Sequence, residues 1–317
     1  KPESDRGDRV GAAAMRPEPL VSVVLPVRNG AEYLGACLDR LRRQTLTDFE
    51  VIVVENGSTD SAPAIIADFV DLDVRFRMVR IGAVGLVAAL NCGLTLARGE
   101  FVARMDGDDV AMPGRLAAQV AALEADESVG VIGSMHRYID SSGSQVGSIR
   151  RLPTRPSAVE AELLLSNPLA HPTVMFAPRR LSEPIEYSDE FPDAEDLELW
   201  LRLRRHTKLA NLGEPLLDRR EHSESVMAVG RDRGAASCMR AFEIHTRSMT
   251  ARRFQHVFNA SSGSVRLWDH VVGLAAVNMT NLRYGDVPRV ALGARSVRAF
   301  AVHLVRRLRC VEVFRRR

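Results

Sequence analysis

Between Leu20 and Met105 the chain alternates short apolar runs with stretches that carry an apolar stripe at helical spacing. Leu20–Pro26 is almost continuously apolar, the character of a parallel strand covered on both faces. In Ala31–Gln44, Tyr33, Leu34, Cys37, Leu38 and Leu41 recur with the helical period and define one stripe. Strands are predicted at Phe49–Val54, Val74–Arg80 and Glu100–Met105. Helices are predicted at Asp60–Val70, capped near Ser58 or Asp60, and at Val87–Ala97, ended by Gly99. This β-α-β-α-β-α-β order implies a parallel sheet with right-handed crossovers.

The remaining elements are less regular. Pro113 starts a helix that runs to about Ala125, at a position where its missing N–H costs nothing. Val129–Tyr138 and Gln145–Arg150 read as strands flanking the turn Asp140–Gly143, Ser157–Leu165 as a helix, and Thr173–Phe176 as a strand. Another helix begins near Asp193, Leu209–Leu212 and Pro215–Leu217 return to the sheet, and everything from Ser223 reads helical. With 317 residues and 46% hydrophobic content, the chain can bury one large core, or one core plus an appended helical piece. Three parts are expected: a disordered, charged tail over 1–19, an α/β domain over 20–222 and a helical extension over 223–317.

The predicted strand ending at Met105 opens into Asp106-Gly-Asp-Asp109. In an open α/β sheet, ligands bind beyond the carboxyl ends of the strands, so these acids stand at the mouth of a site. Clustered carboxylate oxygens suit Mg²⁺ or Mn²⁺ holding a diphosphate. On spacing alone the same letters also describe a solvated acidic turn.

Five further motifs accompany this loop: Val21–Gly30, Val51–Asp60, Ala89–Leu94, His171–Phe176 and Ala194–Leu203. In wording and in order, together with Ala103–Asp109, they resemble the family 2 inverting glycosyltransferases, over about Leu20 to His222. The resemblance implies a GT-A-like α/β fold, a mostly parallel sheet flanked by helices. It also implies transfer of a sugar from a nucleotide diphosphate, UDP in the first instance, to a hydroxyl of a glycan or lipid-linked acceptor. It places Asp106 at the ribose or the metal, Asp108 on a Mn²⁺ or Mg²⁺ ion with Asp109 supporting, and Gly107 beside the donor. Pro26, Val27 and Arg28 become one wall of the nucleotide pocket. Glu55 and Asn56 stand where the family usually has two aspartates, the first of which accepts from the base; the plain alternative is a strand-to-helix turn. His222 matches a histidine that closes on the diphosphate, with Arg220 beside it as a further phosphate contact. In Glu195-Asp196, Asp196 is implied as the catalytic base and Glu195 as an acceptor contact. Acids in a first helical turn are also favoured by the helix dipole alone. Trp200, one turn later, packs on the acceptor sugar or fills core, and His171 lies on the acceptor side or is structural.

The net charge of +3 is modest and almost all the positive charge is arginine, which favours phosphate or membrane headgroups over a nucleic-acid surface. No run reaches the roughly 18 apolar residues a spanning helix needs. Val297, Phe300, Ala301, Leu304, Leu308 and Val311 form one stripe opposite Arg298, Arg306 and Arg309. Such a helix lies on an anionic membrane or packs back on its own domain, so the expected setting is the cytoplasm, with peripheral contact at the inner face of the membrane as one alternative. Cys37, Cys92, Cys238 and Cys310 lack metal or disulfide spacing and read as reduced thiols. Two rival readings are a sugar-phosphate nucleotidyltransferase, whose glycine-rich N-terminal signature is not evident, and a non-catalytic nucleotide-sugar binder.

Overall fold

The computed structural model describes residues 18–163 and 166–221, together with 237, 238, 240, 241, 244 and 245. The leading half alternates β1 (Val21–Val27), α1 (Ala31–Arg42), β2 (Phe49–Asn56), α2 (Ala62–Leu72), β3 (Phe76–Ile81), α3 (Leu86–Leu96) and β4 (Phe101–Arg104). Then come β5 (Val110–Ala111), α4 (Arg115–Ala125), β6 (Val129–Ile139), β7 (Gln145–Arg150), α5 (Pro156–Leu163), β8 (Met175–Phe176), α6 (Glu195–Leu203) and β9 (Lys208–Arg220).

One sheet contains all nine strands, in the order β3-β2-β1-β4-β8-β6-β9-β5, with β7 paired to β6. The β1–β2, β2–β3, β1–β4 and β6–β9 pairs are parallel. β8 runs antiparallel to both β4 and β6 and joins the two parallel parts. The chain steps from β1 outward to β3 and then returns to lay β4 on the other side of β1. That reversal opens a crevice beyond the carboxyl ends of β1 and β4, where an open α/β sheet binds its ligand.

Alternation along the strands divides the interior in two. Val21, Val23, Leu25 and Val27 of β1 and Val51 and Val53 of β2 join a core with Leu34, Cys37, Leu38 and Leu41 of α1. Val24, Ile52 and Val54 face the other way, onto Ala89 and Leu90 of α3. Full burial of each such side chain favours folding by about 1.5–3 kcal/mol before entropy is counted, so a slipped register would be costly. α3 approaches this face closely: a Cβ at Gly93 would stand 2.4 Å from a Val24 methyl.

Several expectations change in detail. The strand expected at Thr173–Phe176 is a 3-10 turn at His171–Thr173 followed by the short β8. Pro172 has no N–H for a ladder, and the Thr173 N–H and hydroxyl both donate to the Ala170 carbonyl. Asp193 has a left-handed backbone, φ 62°, so the helix expected there starts at Glu195. Leu209–Leu212 and Pro215–Leu217 are one long strand, with the extra residues Gly213 and Glu214 absorbed where the pairing shifts between Ser134 and Met135. β5, which no periodicity announces, ties the acidic loop to β9 through Val110↔Asp218 and Ala111↔Leu217.

The six described residues beyond 221 are helical. Ala241 enters the second core, and the His245 ring sits 3.0 Å from Glu198 of α6. Residues 1–17, His222 and the expected Val297–Arg317 helix lie outside the described residues. Among the described residues, no helix is long and apolar enough to cross a membrane.

Candidate active site

A cavity of about 1320 Å³ opens at the crevice. Pro26, Val27, Arg28 and Gly30 at the end of β1, with Asn56 from β2, form one wall, Asp106–Asp109 the floor, and Asn167, His171, Glu195 and Asp196 the opposite wall. A third side comes from β6, β7 and β9.

The floor is built by burying the strand that leads to it. Met105 is fully buried and the Cys37 thiol reaches the Asp106 carbonyl at 3.3 Å, which fixes the point where the chain turns. Arg104, itself buried, forks onto both carboxylate oxygens of Asp106 at 2.5 Å. Burial would lower the Arg104 pKa, but the charge of Asp106, the nearby Tyr187, the Asp106 hydrogen bond and Asp109 together outweigh it and the guanidinium is held above its ordinary value. Below it, fully buried Arg115 of α4 donates to the Arg104 carbonyl at 2.6 Å; burial brings its pKa down to about 10.

Asp106 and Asp108 are half-buried, and Asp109 is buried. One oxygen from each of the three carboxylates lies within 4.8 Å of the others. Asp109 Oδ1 accepts the Arg220 N–H at 2.9 Å, while Oδ2 is buried without a partner among the described residues. Burial, then the Asp106 and Asp108 charges, push the Asp109 carboxyl well above the usual carboxylate range. An unsatisfied buried oxygen inside an all-oxygen cluster is what a hard divalent cation fits, so Asp109 joins Asp106 and Asp108 as a candidate ligand rather than standing behind them.

Arg220 lines the cavity and also clasps the acidic loop. It donates from Nε to the Asp108 carbonyl at 3.0 Å and from its terminal nitrogen to the Asp140 and Ser141 carbonyls at 2.6 and 3.1 Å. Its guanidinium lies 4.3 Å from the Tyr33 ring centre. The acidic loop is thereby fastened to the β6–β7 turn and to α1.

Glu55 departs from expectation. Its carboxylate accepts the Ser58 N–H at 2.5 Å, the residue is buried, and it does not line the cavity. The turn alternative accounts for it: Glu55 satisfies the backbone where β2 bends away. Asn56 does line the cavity, yet its amide is spent on the loop before α3, accepting from the Val84 N–H at 3.0 Å and donating to the Gly85 carbonyl at 3.1 Å. Arg28 is exposed at the rim, and Gly107 packs so that a Cβ would lie 3.4 Å from Val27 Cγ2.

On the opposite wall, Asp196 stands in the first turn of α6. Its Oδ2 accepts from Asn167 Nδ2 at 2.7 Å and its Oδ1 from the Leu197 N–H at 2.7 Å. Burial raises its pKa, and these two donors, then the Arg104 and Arg219 charges, pull the other way. Burial, with Asp196 beside it, lifts Glu195 further, to about 7. His171 bonds the Tyr187 hydroxyl at 2.7 Å. Burial and the Arg104 and Arg219 charges keep the His171 pKa well below its ordinary value, so the ring is neutral. Trp200 takes the core alternative: it is fully buried, 5.7 Å between ring centres from Phe176, and does not line the cavity. Of α6, Glu195, Asp196 and Leu197 line the cavity, whereas Trp200 falls on the core side. Sequence reasoning missed Arg104, Asn167 and the β6–β9 side of the cavity; Asn167-Pro168, just ahead of His171, was the one visible hint.

The fold and its acid-floored cavity together have the GT-A architecture. S. aureus TarS in complex with UDP-GlcNAc superposes with a TM-score of 0.62 at 19% identity, covering 84% of this chain and 76% of that one. Mannosyltransferase PcManGT from Pyrobaculum calidifontis, in complex with GDP-Man and Mn²⁺, gives 0.57 at 20% identity, over 90% and 80%. Residues 22–183 match Glycosyl transferase family 2, and the chain belongs to that family of glycosyltransferase enzymes. The O-antigen biosynthesis glycosyltransferase WbnJ of Escherichia coli is 30% identical over 210 residues, 65% of this chain and 81% of WbnJ.

Proposed function

We propose that the protein transfers a sugar from a nucleotide-diphosphate sugar, with UDP as the nucleotide, to a hydroxyl of a glycan or lipid-linked acceptor, in a single displacement that inverts the anomeric centre. The observation that carries this reading is the position of Asp196: a carboxylate oriented by two donors lines the same cavity as the Asp106–Asp109 floor. The acceptor oxygen attacks the anomeric carbon from the side of Asp196. As the C–O bond to the acceptor forms, the bond to the diphosphate breaks and its electron pair leaves with the phosphate oxygen. The hydroxyl proton passes to Asp196, whose raised pKa makes it a better base than a free aspartate.

Asp106, Asp108 and Asp109 would hold a Mn²⁺ or Mg²⁺ ion, which when bound neutralises charge on the departing diphosphate. The UDP-GlcNAc bound to TarS supports a UDP donor, and the Mn²⁺ of PcManGT supports the ion. The role of WbnJ in O-antigen biosynthesis supports a glycan acceptor.

Turnover across a panel of UDP- and GDP-sugars, with the anomeric configuration of the product read by NMR, tests the reading. Asp196→Asn should cut turnover by roughly 10²–10⁴-fold and leave UDP affinity nearly intact. A retained configuration, or near-native turnover in that variant, would overturn it.

A further inference from the structure

The third side of the cavity lies outside the Asp106–Asp109 floor and the Asp196 wall. It is built from cross-strand pairs. His136 of β6 is the register partner of Arg150 of β7, and Tyr138 of β6 that of Arg219 of β9. Residues two apart on a strand share a face, and the His136 and Tyr138 rings meet edge to face with centres 5.0 Å apart. All four side chains line the cavity, with Leu152 beside them.

The chemistry of this patch is selective. Two guanidiniums flank the imidazole of His136, a residue only 2% exposed. Both ring nitrogens of His136 are buried and lack a partner among the described residues. Burial, then Arg219 and Arg150, bring the His136 pKa down to about 4, so the ring is neutral and still owns one donor and one acceptor. A buried polar ring left unsatisfied is costly unless a ligand or water completes it. A basic, aromatic-edged face suits a sugar whose ring lies against Tyr138 and whose charge meets the arginines.

We propose that His136, Tyr138, Arg150 and Arg219 form an acceptor subsite for an anionic group, so that the acceptor is an acidic glycan or a glycosyl phosphate rather than a neutral sugar. The proposal rests on the transferase reading above and adds the charge of the acceptor to it. The same guanidiniums on the donor diphosphate are the competing assignment, and the test separates the two.

The full chain is titrated by calorimetry, with and without saturating UDP and Mn²⁺, with methyl glucuronide, glucose 1-phosphate and methyl glucoside as probes. At least one anion should bind the UDP-loaded protein about tenfold or more tightly than methyl glucoside, as charge-assisted hydrogen bonds require. Whichever anion wins distinguishes a carboxylate from a phosphate. Arg150→Gln and His136→Gln should each weaken that anion about tenfold while UDP affinity stays within about twofold. Equal binding of the neutral glycoside, or anion affinity unchanged in both variants, overturns the subsite. UDP affinity falling in step with anion affinity assigns the guanidiniums to the diphosphate and also overturns it. Failure of the native protein to bind any nucleotide diphosphate counts instead against the transferase reading, because the anion titration without UDP still reports on the patch.

Discussion

Glu195 offers a quantitative test of how the catalytic wall is built. Glu195 is 8% exposed and its pKa rises from the ordinary 4.5 to about 7, through burial first and the Asp196 charge second. Between those two values the folded protein keeps a proton that the unfolded chain has released. The contribution to stability is therefore full below about pH 4.5 and is lost as pH rises through about 7. At about 1.4 kcal/mol for each tenfold in proton affinity, ionised Glu195 costs the fold about 3 kcal/mol above that window. Glu195→Gln replaces the acid by a near-isosteric neutral group. It should change stability by less than about 1 kcal/mol near pH 5, where Glu195 is already protonated, and raise it by about 3 kcal/mol near pH 8.5. Urea unfolding of both proteins at the two pH values measures the difference, provided the slopes match. A pH-independent difference, or a variant less stable than the native protein near pH 8.5, would refute the argument that burial and Asp196 hold this proton.

Removing the fully buried Trp200 with Trp200→Ala should cost about 3–5 kcal/mol in thermal or urea unfolding, with any loss of activity tracking the unfolded fraction; a stable variant with a raised acceptor KM would return Trp200 to the substrate. Glu55→Gln weakens the bond to the Ser58 N–H and should cost about 1–2 kcal/mol of stability while leaving the ratio of UDP to GDP affinity unchanged, as read by calorimetry. Asp108→Asn should abolish turnover, and EDTA should weaken UDP binding to the native protein by about tenfold or more; full activity in EDTA would exclude the acidic loop as an ion site.

How much of this was legible beforehand follows from the range of the forces involved. Strand and helix periodicity is a local property, so β1 to β4 and α1 to α3 were readable to within a residue or two, and with them the crevice beyond β1 and β4. The resemblance placed Asp106, Asp108 and Asp196 on the cavity that the structure then formed. What sequence could not decide is which side chains spend their polar atoms on the fold itself. Glu55 and Arg220 carry charges suited to a ligand, but Ser58, Asp108, Asp140 and Ser141 satisfy them first. Trp200 and Asp196 lie one helical turn apart, and only the packing of α6 against Phe176 turned one to the core while Asn167, from a loop 29 positions earlier, held the other at the cavity. The His136–Arg150 and Tyr138–Arg219 pairs had no local signature at all, because a cross-strand neighbour is set by register. Local pattern determines elements, whereas competition among distant partners for each buried polar atom determines the site, and that competition exists only once the sheet has closed around it.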